Sequence, residues 1–241
     1  VPHWLEVARA NREHIVGIKI RVGESTTGDL GTDPLEVALD VADQLELPLM
    51  AHVGAPPPSL GAILEMLRPG DVLTHCFRPF PNAPILAGDR VRPEVLAARE
   101  RGVVFDVGHG AGSFSFDTTR RMLEQGFLPD VISSDVHAMN TDGPAFDNLV
   151  TMSKLLSLGM PLGDVVAAAT ARPRQLIRRP ELGTLGPGSA GDATILELAE
   201  GRFDYRDVTG AKLEGRQRLL LRGIVLHGQP WPHEDRDIAM R

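Results

Sequence analysis

An α/β fold is what this sequence predicts: a parallel sheet covered by helices, with a small β element appended. Three observations carry the prediction. Short apolar runs alternate with segments of helical periodicity over the first two thirds of the chain, the pattern of βαβ units. Four of those runs carry, or open into, a residue suited to chemistry, namely Lys19, His52, His75 and Asp135. Beyond about residue 180 the helical periodicity stops, and Gly183, Gly186, Gly188 and Gly191 punctuate strand-like segments.

Residues 1–14 are polar with Leu5, Val7 and Ala8 at roughly helical spacing, which predicts a short helix. Residues 15–22 form the first strand. Residues 23–31, rich in Gly, Ser, Thr and Asp, make a loop too long for a hairpin turn; loops that follow strands are where α/β proteins place substrate contacts. Thr32-Asp33-Pro34 opens a helix with a polar cap and a proline in the first turn. Leu35, Ala38, Leu39, Ala42 and Leu45 mark its buried face. The unit repeats, with strands at 48–53, 71–76, 103–107 and 131–134 and helices near 59–68, 93–101, 116–125 and 144–158. Strands spaced by about 25 to 35 residues suit right-handed parallel crossovers. A further helix spans 162–171. After it, residues 193–198, 203–208 and 219–226 read as strands without intervening helices, and a polar, frayed tail begins at Trp231.

Composition bounds the function classes. The chain has 241 residues, enough to bury a sizeable core. Its 42% hydrophobic and 24% charged content is that of an ordinary globular protein. A net charge of −7 argues against nucleic acid or an anionic membrane surface as the main partner. No apolar run reaches the roughly 18 residues that would mark a membrane span. One cysteine, Cys76, excludes an internal disulfide framework and suits a reducing, cytoplasmic setting.

The strand ends hold the chemistry. Side chains alternate along a strand, so Lys19 shares a face with Gly17 and Arg21, and His75 shares one with Leu73. Cys76 then faces the helices as a packing residue. A lysine inside an otherwise apolar strand is costly to bury as a free ammonium. It needs a carboxylate partner such as Asp106, a depressed pKa, or conversion by CO₂ to a carbamate, an oxygen-donor anion that two divalent cations can share. Taken singly, a strand-end histidine serves as a structural hydrogen-bonding residue and an aspartate after a strand as a helix cap. Taken together, at the C-terminal ends of successive strands where barrel active sites form, the four predict a metal site. His109, in Gly108-His109-Gly110-Ala111-Gly112, reads either as a substrate contact or as a solvated loop residue, with Gly108 and Gly110 letting the backbone come close. That stretch lacks the Gly-x-Gly-x-x-Gly spacing, which argues against a dinucleotide-binding module.

These residues resemble those of the amidohydrolase superfamily of metal-dependent hydrolases, in its deacetylase-like, dihydroorotase-related branch. The motifs are Ala51-His52-Val53-Gly54-Ala55-Pro56-Pro57, Leu73-Thr74-His75-Cys76-Phe77, Asp106-Val107-Gly108-His109-Gly110-Ala111-Gly112-Ser113-Phe114 and Ser133-Ser134-Asp135-Val136-His137. They look like the ends of barrel strands five to eight, with Lys19 on strand four. Ala169-Thr170-Ala171-Arg172-Pro173 and Gly183–Ala193 look like the exit from the barrel into a β-sandwich. The resemblance runs from Ile15 to about Pro230. It implies the C-terminal part of a (β/α)8 barrel over 1–179 with its N-terminal strands absent from this chain, a β-sandwich portion over 180–230 and a tail over 231–241.

The roles that the resemblance implies are specific. Lys19 would be the carbamylated bridging ligand, His52 and His75 would hold one divalent metal, and Asp135 would ligate a second metal and act as general base on a water. The metal would be one or two ions of Zn²⁺ or a similar cation. His109, Gly110 and Arg78 would contact the substrate, a small acylated molecule whose amide or ester bond is hydrolysed; Arg21 and Arg78 could hold a carboxylate on it. The family's His-x-His on its first strand is not found in these residues. Two alternatives therefore stay open beside deacetylation: cyclic-amide hydrolysis of the dihydroorotase type, and a metal-binding chain without activity of its own. Self-association into a homo-oligomer is left open as well.

Overall fold

The structure, a computed structural model, describes residues 2–232. It opens with helix α1 (Pro2–Ala10), strand β1 (Ile18–Val22), the short helix α2 (Glu24–Thr27) and α3 (Asp33–Leu45). Then come β2 (Leu49–Val53), α4 (Leu60–Met66), β3 (Val72–Thr74), α5 (Pro93–Glu100), β4 (Val104–Asp106) and α6 (Phe116–Glu124). Helices α7 (Asn148–Ser157), α8 (Leu162–Ala169) and α9 (Ala171–Leu176) lead to β5 (Ala193–Arg206), β6 (Lys212–Leu226) and β7 (Gln229–Trp231). Of the expected tail, residues 233–241 lie outside the described residues. Among the described residues no helix is long and apolar enough to cross a membrane.

Local chemistry sets several boundaries. The side chains of Ser59, Ser115 and Asp147 accept the backbone N–H of Ala62, Thr118 and Val150 and so cap α4, α6 and α7. At α3 the cap is positional only: Thr32 makes no side-chain bond, and Pro34 supplies a preset φ in the first turn. Leu35, Val41, Ala42 and Leu45 of α3 are buried, and α1 packs Leu5 and Ala8 against Val41 and Leu45.

Strands β1, β2, β3 and β4 pair in chain order as one parallel sheet. The register sets Lys19 beside Met50, Arg21 beside His52, His52 beside Thr74 and Thr74 beside Asp106. Laterally paired residues share a face, so one face of the sheet carries Lys19, Arg21, Met50, His52, Thr74 and Asp106. The other carries Val22, Leu49, Ala51, Val53, Leu73 and Phe105, which join Leu35, Ala42, Ile63, Leu64, Val95 and Ala98 of the helices in the buried core. Tyr205 and Leu219 of the C-terminal sheet belong to that same core.

The expected fold class needs correction. The parallel strands lie in the N-terminal and middle parts of the chain as an open sheet of four, so the reading of a barrel's C-terminal part with its N-terminal strands absent does not hold. The C-terminal sheet is antiparallel, in the order β5-β6-β7, and continues no barrel. The physical reason is connection length: a turn at 207–211 joins β5 to β6, and so short a link permits only antiparallel pairing. The fifth strand expected at 131–134 is also reduced, to a single parallel bridge between Asp106 and Val131. Ile132 gives its N–H to the carbonyl of Ala168, away from any strand. Conversely, the segments expected at 193–198 and 203–208 fall on one strand, β5, which ends at Arg206 and has register shifts at 195–196 and 200–203.

At the opposite ends of β2 and β3 from the chemistry, Asp71 is buried and saturated. Its Oδ1 accepts Leu49 N and Arg68 Nη2, and its Oδ2 accepts Arg68 N and Nε, at 2.8–2.9 Å. This carboxylate ties the starts of two strands together. Replacing it leaves the buried N–H of Leu49 and the part-buried N–H of Arg68 without their acceptor, while the guanidinium keeps Asp43 and Leu47 O, so Asp71→Ala should lower stability by about 2 kcal/mol, read as a shift in urea midpoint at unchanged m-value.

Candidate active site

The candidate residues gather at the C-terminal ends of the parallel strands, and backbone conformation decides which of them meet. By strand alternation His75 should share a face with Leu73, away from His52. The structure differs because β3 stops at Thr74 and His75 has φ 71. That left-handed residue turns its side chain to the same side as Thr74. His75 Nε2 then lies 2.6 Å from His52 Nδ1, the rings crossing edge to face. Behind it, His75 Nδ1 lies 2.6 Å from the carbonyl of Gly108. A carbonyl only accepts, so Nδ1 carries the proton and the Nε2 lone pair points at His52. Histidines that bind metals are oriented in this way by a partner behind the ring.

Burial keeps both imidazoles neutral. Desolvation, then the neighbouring His75, Arg21, Lys19 and Arg78, lower His52 to about 3. Desolvation, with Lys19, Arg78 and Arg21 adding to it against the bond to Gly108, lowers His75 to about 4. Neutral imidazoles are the form that coordinates a metal.

Asp135 follows the 131–134 segment, also left-handed at φ 46, with its carboxylate at the surface. Asn140, fully buried, fixes its loop by donating to the carbonyl of Asp135 and accepting His137 N. The neighbouring loop is laced to the same segment: His109 N donates to Ser133 O and Gly110 N to Ser134 O. Two glycines in that loop sit where a side chain would collide with the site. A Cβ on Gly108 (φ 46) would stand 2.2 Å from Thr74 Oγ1 and 2.9 Å from His75 Nδ1, and one on Gly110 (φ 57) 2.8 Å from Asp135 Oδ2. Left-handed backbone at His75 and Asp135 costs on the order of 1 kcal/mol or more each, a cost typical of sites whose side-chain direction is under constraint.

The other expected residues are distributed differently. Lys19 is exposed on edge strand β1, so the premise of a buried ammonium fails. It forms no ion pair with Asp106: that carboxylate is buried, its Oδ2 accepting Thr74 Oγ1 at 2.6 Å and Ser133 Oγ at 2.9 Å while its Oδ1 has no partner. Burial raises the Asp106 carboxyl above the usual carboxylate range despite those two hydroxyls. Arg78 donates from Nη1 to the carbonyl of Val53, and its Nε is buried without a partner. His109 is fully buried against Phe114, with Nδ1 at 2.9 Å from Gly110 O and Nε2 at 2.8 Å from Lys154 Nζ. Both of its ring nitrogens are thus engaged by the protein, and the solvated-loop alternative is excluded. Cys76 lies in the hydrophobic core, its thiol pushed up by burial.

Sequence reading missed Thr74, Ser133, Asn140 and Lys154. Hydroxyls beside strand ends carry no signal of their own. Lys154 did leave one, a lone charge within the apolar helix segment Leu149–Leu155. The residues whose chemistry fits a metal are His52 and His75, two neutral imidazoles joined by a bond from His52 Nδ1–H to His75 Nε2, a proton that a bound cation would displace. Among the described residues no three His, Cys, Asp or Glu side chains converge on a common point.

No protein-family profile matches the chain. A deacetylase from Brucella anthropi is 38% identical over 206 residues, 86% of this chain and 51% of that protein. The crystal structure of an adenine deaminase superposes with a TM-score of 0.93 at 31% identity, over 95% of this chain and 63% of the other. That of a dihydroorotase superposes with a TM-score of 0.87 at 35% identity, over 94% and 60%. The chain therefore spans about half the length of the curated deacetylase and some three fifths of the two crystal structures. With the strand-end histidines, the Gly108–Gly110 loop and Asp135 arranged as above, these likenesses establish that the chain belongs to the amidohydrolase superfamily, in its deacetylase-like branch.

Proposed function

We propose that this chain contributes the active site of a hydrolase that cleaves an amide or ester bond in a small acylated substrate. The observation that carries the reading is the His52–His75 pair, 2.6 Å apart and oriented from behind by Gly108. His52 and His75 would hold a divalent cation such as Zn²⁺. Lys19, on the same sheet face as His52, would join as its carbamate, and Asp135 from the facing loop. When bound, the metal supplies Lewis acidity toward the scissile carbonyl and the attacking water.

Asp135 acts as general base. Its carboxylate takes the proton from water as the carbonyl is attacked and returns it to the leaving nitrogen or oxygen. Gly110 leaves the space beside Asp135 Oδ2 that the reacting group needs. Lys19, Arg21 and Arg78 bear on both histidines, and their positive field favours a substrate carrying a carboxylate. His109 serves this reading from inside the loop, setting where Gly108 and Gly110 sit. Cyclic-amide hydrolysis is the second reading, favoured by the likeness to a dihydroorotase.

Asp135→Asn should lower turnover on a panel of acyl esters and amides by about 10²-fold or more, while Zn²⁺ binding by calorimetry is weakened but retained through His52 and His75. His75→Gln should weaken that binding. A metal-free chain with full activity, or one that holds Zn²⁺ yet turns over no substrate, would overturn the hydrolase reading; turnover of cyclic imides alone would choose the second. Gly110→Ala is expected to displace the Asp135 carboxylate and lower kcat by about 10²-fold, with the far-UV spectrum unchanged.

Burial, with the Lys154 charge adding to it against the bonds to Gly110 and its own backbone and against Asp207, lowers His109 to about 3. Between that value and the ordinary 6.5 the unfolded chain holds the extra proton. The stability tied to this residue is therefore complete above pH 6.5 and declines as pH falls toward 3. In urea titrations the loss of stability from pH 7.5 to pH 5 should be smaller in His109→Gln by roughly 1 to 2 kcal/mol.

A further inference from the structure

Behind the loop that carries Gly108 and Gly110, a lysine is buried where no carboxylate meets it. Lys154 of α7 is fully shielded from solvent. Its Nζ lies 2.8 Å from His109 Nε2, 2.6 Å from the carbonyl of Pro144 and 5.9 Å from the ring centre of Phe116. The acid that bears on it, Asp207, is already filled. Asp207 Oδ2 accepts Phe116 N, and Oδ1 accepts Thr209 N, Thr209 Oγ1 and Ala211 N. Desolvation lowers the Lys154 ammonium to about 7, with Asp207 acting weakly the other way.

An apolar side chain of the same length would fill this space without the cost of burying an amine. What the amine adds is a donor. Gly110 O can only accept, so a proton sits on His109 Nδ1, and Nε2 is left as a buried lone pair facing Nζ. With the proton on Nε2 instead, two acceptors, Nδ1 and Gly110 O, would face each other at 2.9 Å. The loop also touches the site at two points: Gly108 O orients His75, and Gly110 abuts Asp135. Through Pro144 O the same amine holds the loop that follows Asp135.

We propose that Lys154 is a positioning residue for the candidate site, its Nζ holding His109 in the Nδ1–H tautomer and thereby locking the Gly108–Gly110 turn against His75 and Asp135. The proposal rests on the functional reading for its purpose, but its test does not depend on turnover or on bound metal.

Long-range ¹H–¹⁵N correlation spectra of the full chain at pH 7.5 report each imidazole tautomer, with His109 assigned by its loss in His109→Gln. The expected spectrum shows His109 as Nδ1–H with an Nε2 shifted by hydrogen bonding. In Lys154→Met it becomes a mixture of tautomers, and Lys154→Gln, which keeps a donor, restores it. An Nε2–H form in the parent, or no change in Lys154→Met, overturns the proposal. Should the methionine variant fail to fold, the parent decides alone: a hydrogen-bonded Nε2 supports the proposal and a free, pyridine-like Nε2 refutes it. Absence of Zn²⁺ binding or turnover would sink the hydrolase reading and leave this result standing.

Discussion

The bond from His75 Nδ1 to the carbonyl of Gly108 ties the residue after β3 to the loop after its paired neighbour β4, and the site's order follows from it. It requires His75 to leave the strand in a left-handed turn, which brings its ring to the side of His52. It requires a residue without a Cβ at 108, since Thr74 Oγ1 occupies that space. Thr74 is there because Asp106 accepts its hydroxyl, and the same oxygen accepts Ser133 from the next segment. One buried carboxylate thus holds the residues preceding His75 and Asp135 in fixed relation.

The electrostatics of this end of the sheet set shielded imidazoles beside exposed cations. Three histidines are held neutral by burial, and Lys19, Arg21 and Arg78 contribute positive charge around two of them. Around the buried groups a low dielectric makes the unpartnered Oδ1 of Asp106 and Nε of Arg78 costly as they stand.

The C-terminal antiparallel sheet is more than an appendage. Asp207 and Val208, at the β5–β6 turn, bond to the backbone of Phe116 and Phe114, just beyond the Gly108–Gly110 loop. Ser153, next to Lys154 on α7, receives the N–H of Leu219 in β6. Support for the loop therefore comes from the parallel sheet on one side, and from α7 with the hairpin on the other.

Apolar periodicity by itself determined the alternation of strands and helices through α6, because burial of one face demands a repeat of 2.0 or 3.6 residues. Residue type and position nominated Lys19, His52, His75 and Asp135, since few other reasons put such groups at strand ends. Only the tertiary structure decided which of them meet. Alternation alone would turn His75 away from His52, and what brings the two rings together is a left-handed φ that composition does not reveal; Lys19 is exposed because β1 is an edge strand of an open sheet. The side chain that meets His109 Nε2, Lys154, lies 45 residues away in sequence and in turn meets Pro144 O, contacts that no local pattern encodes. The His75 to Gly108 bond is of the same kind: its residues are legible in the chain, but its geometry is a product of packing.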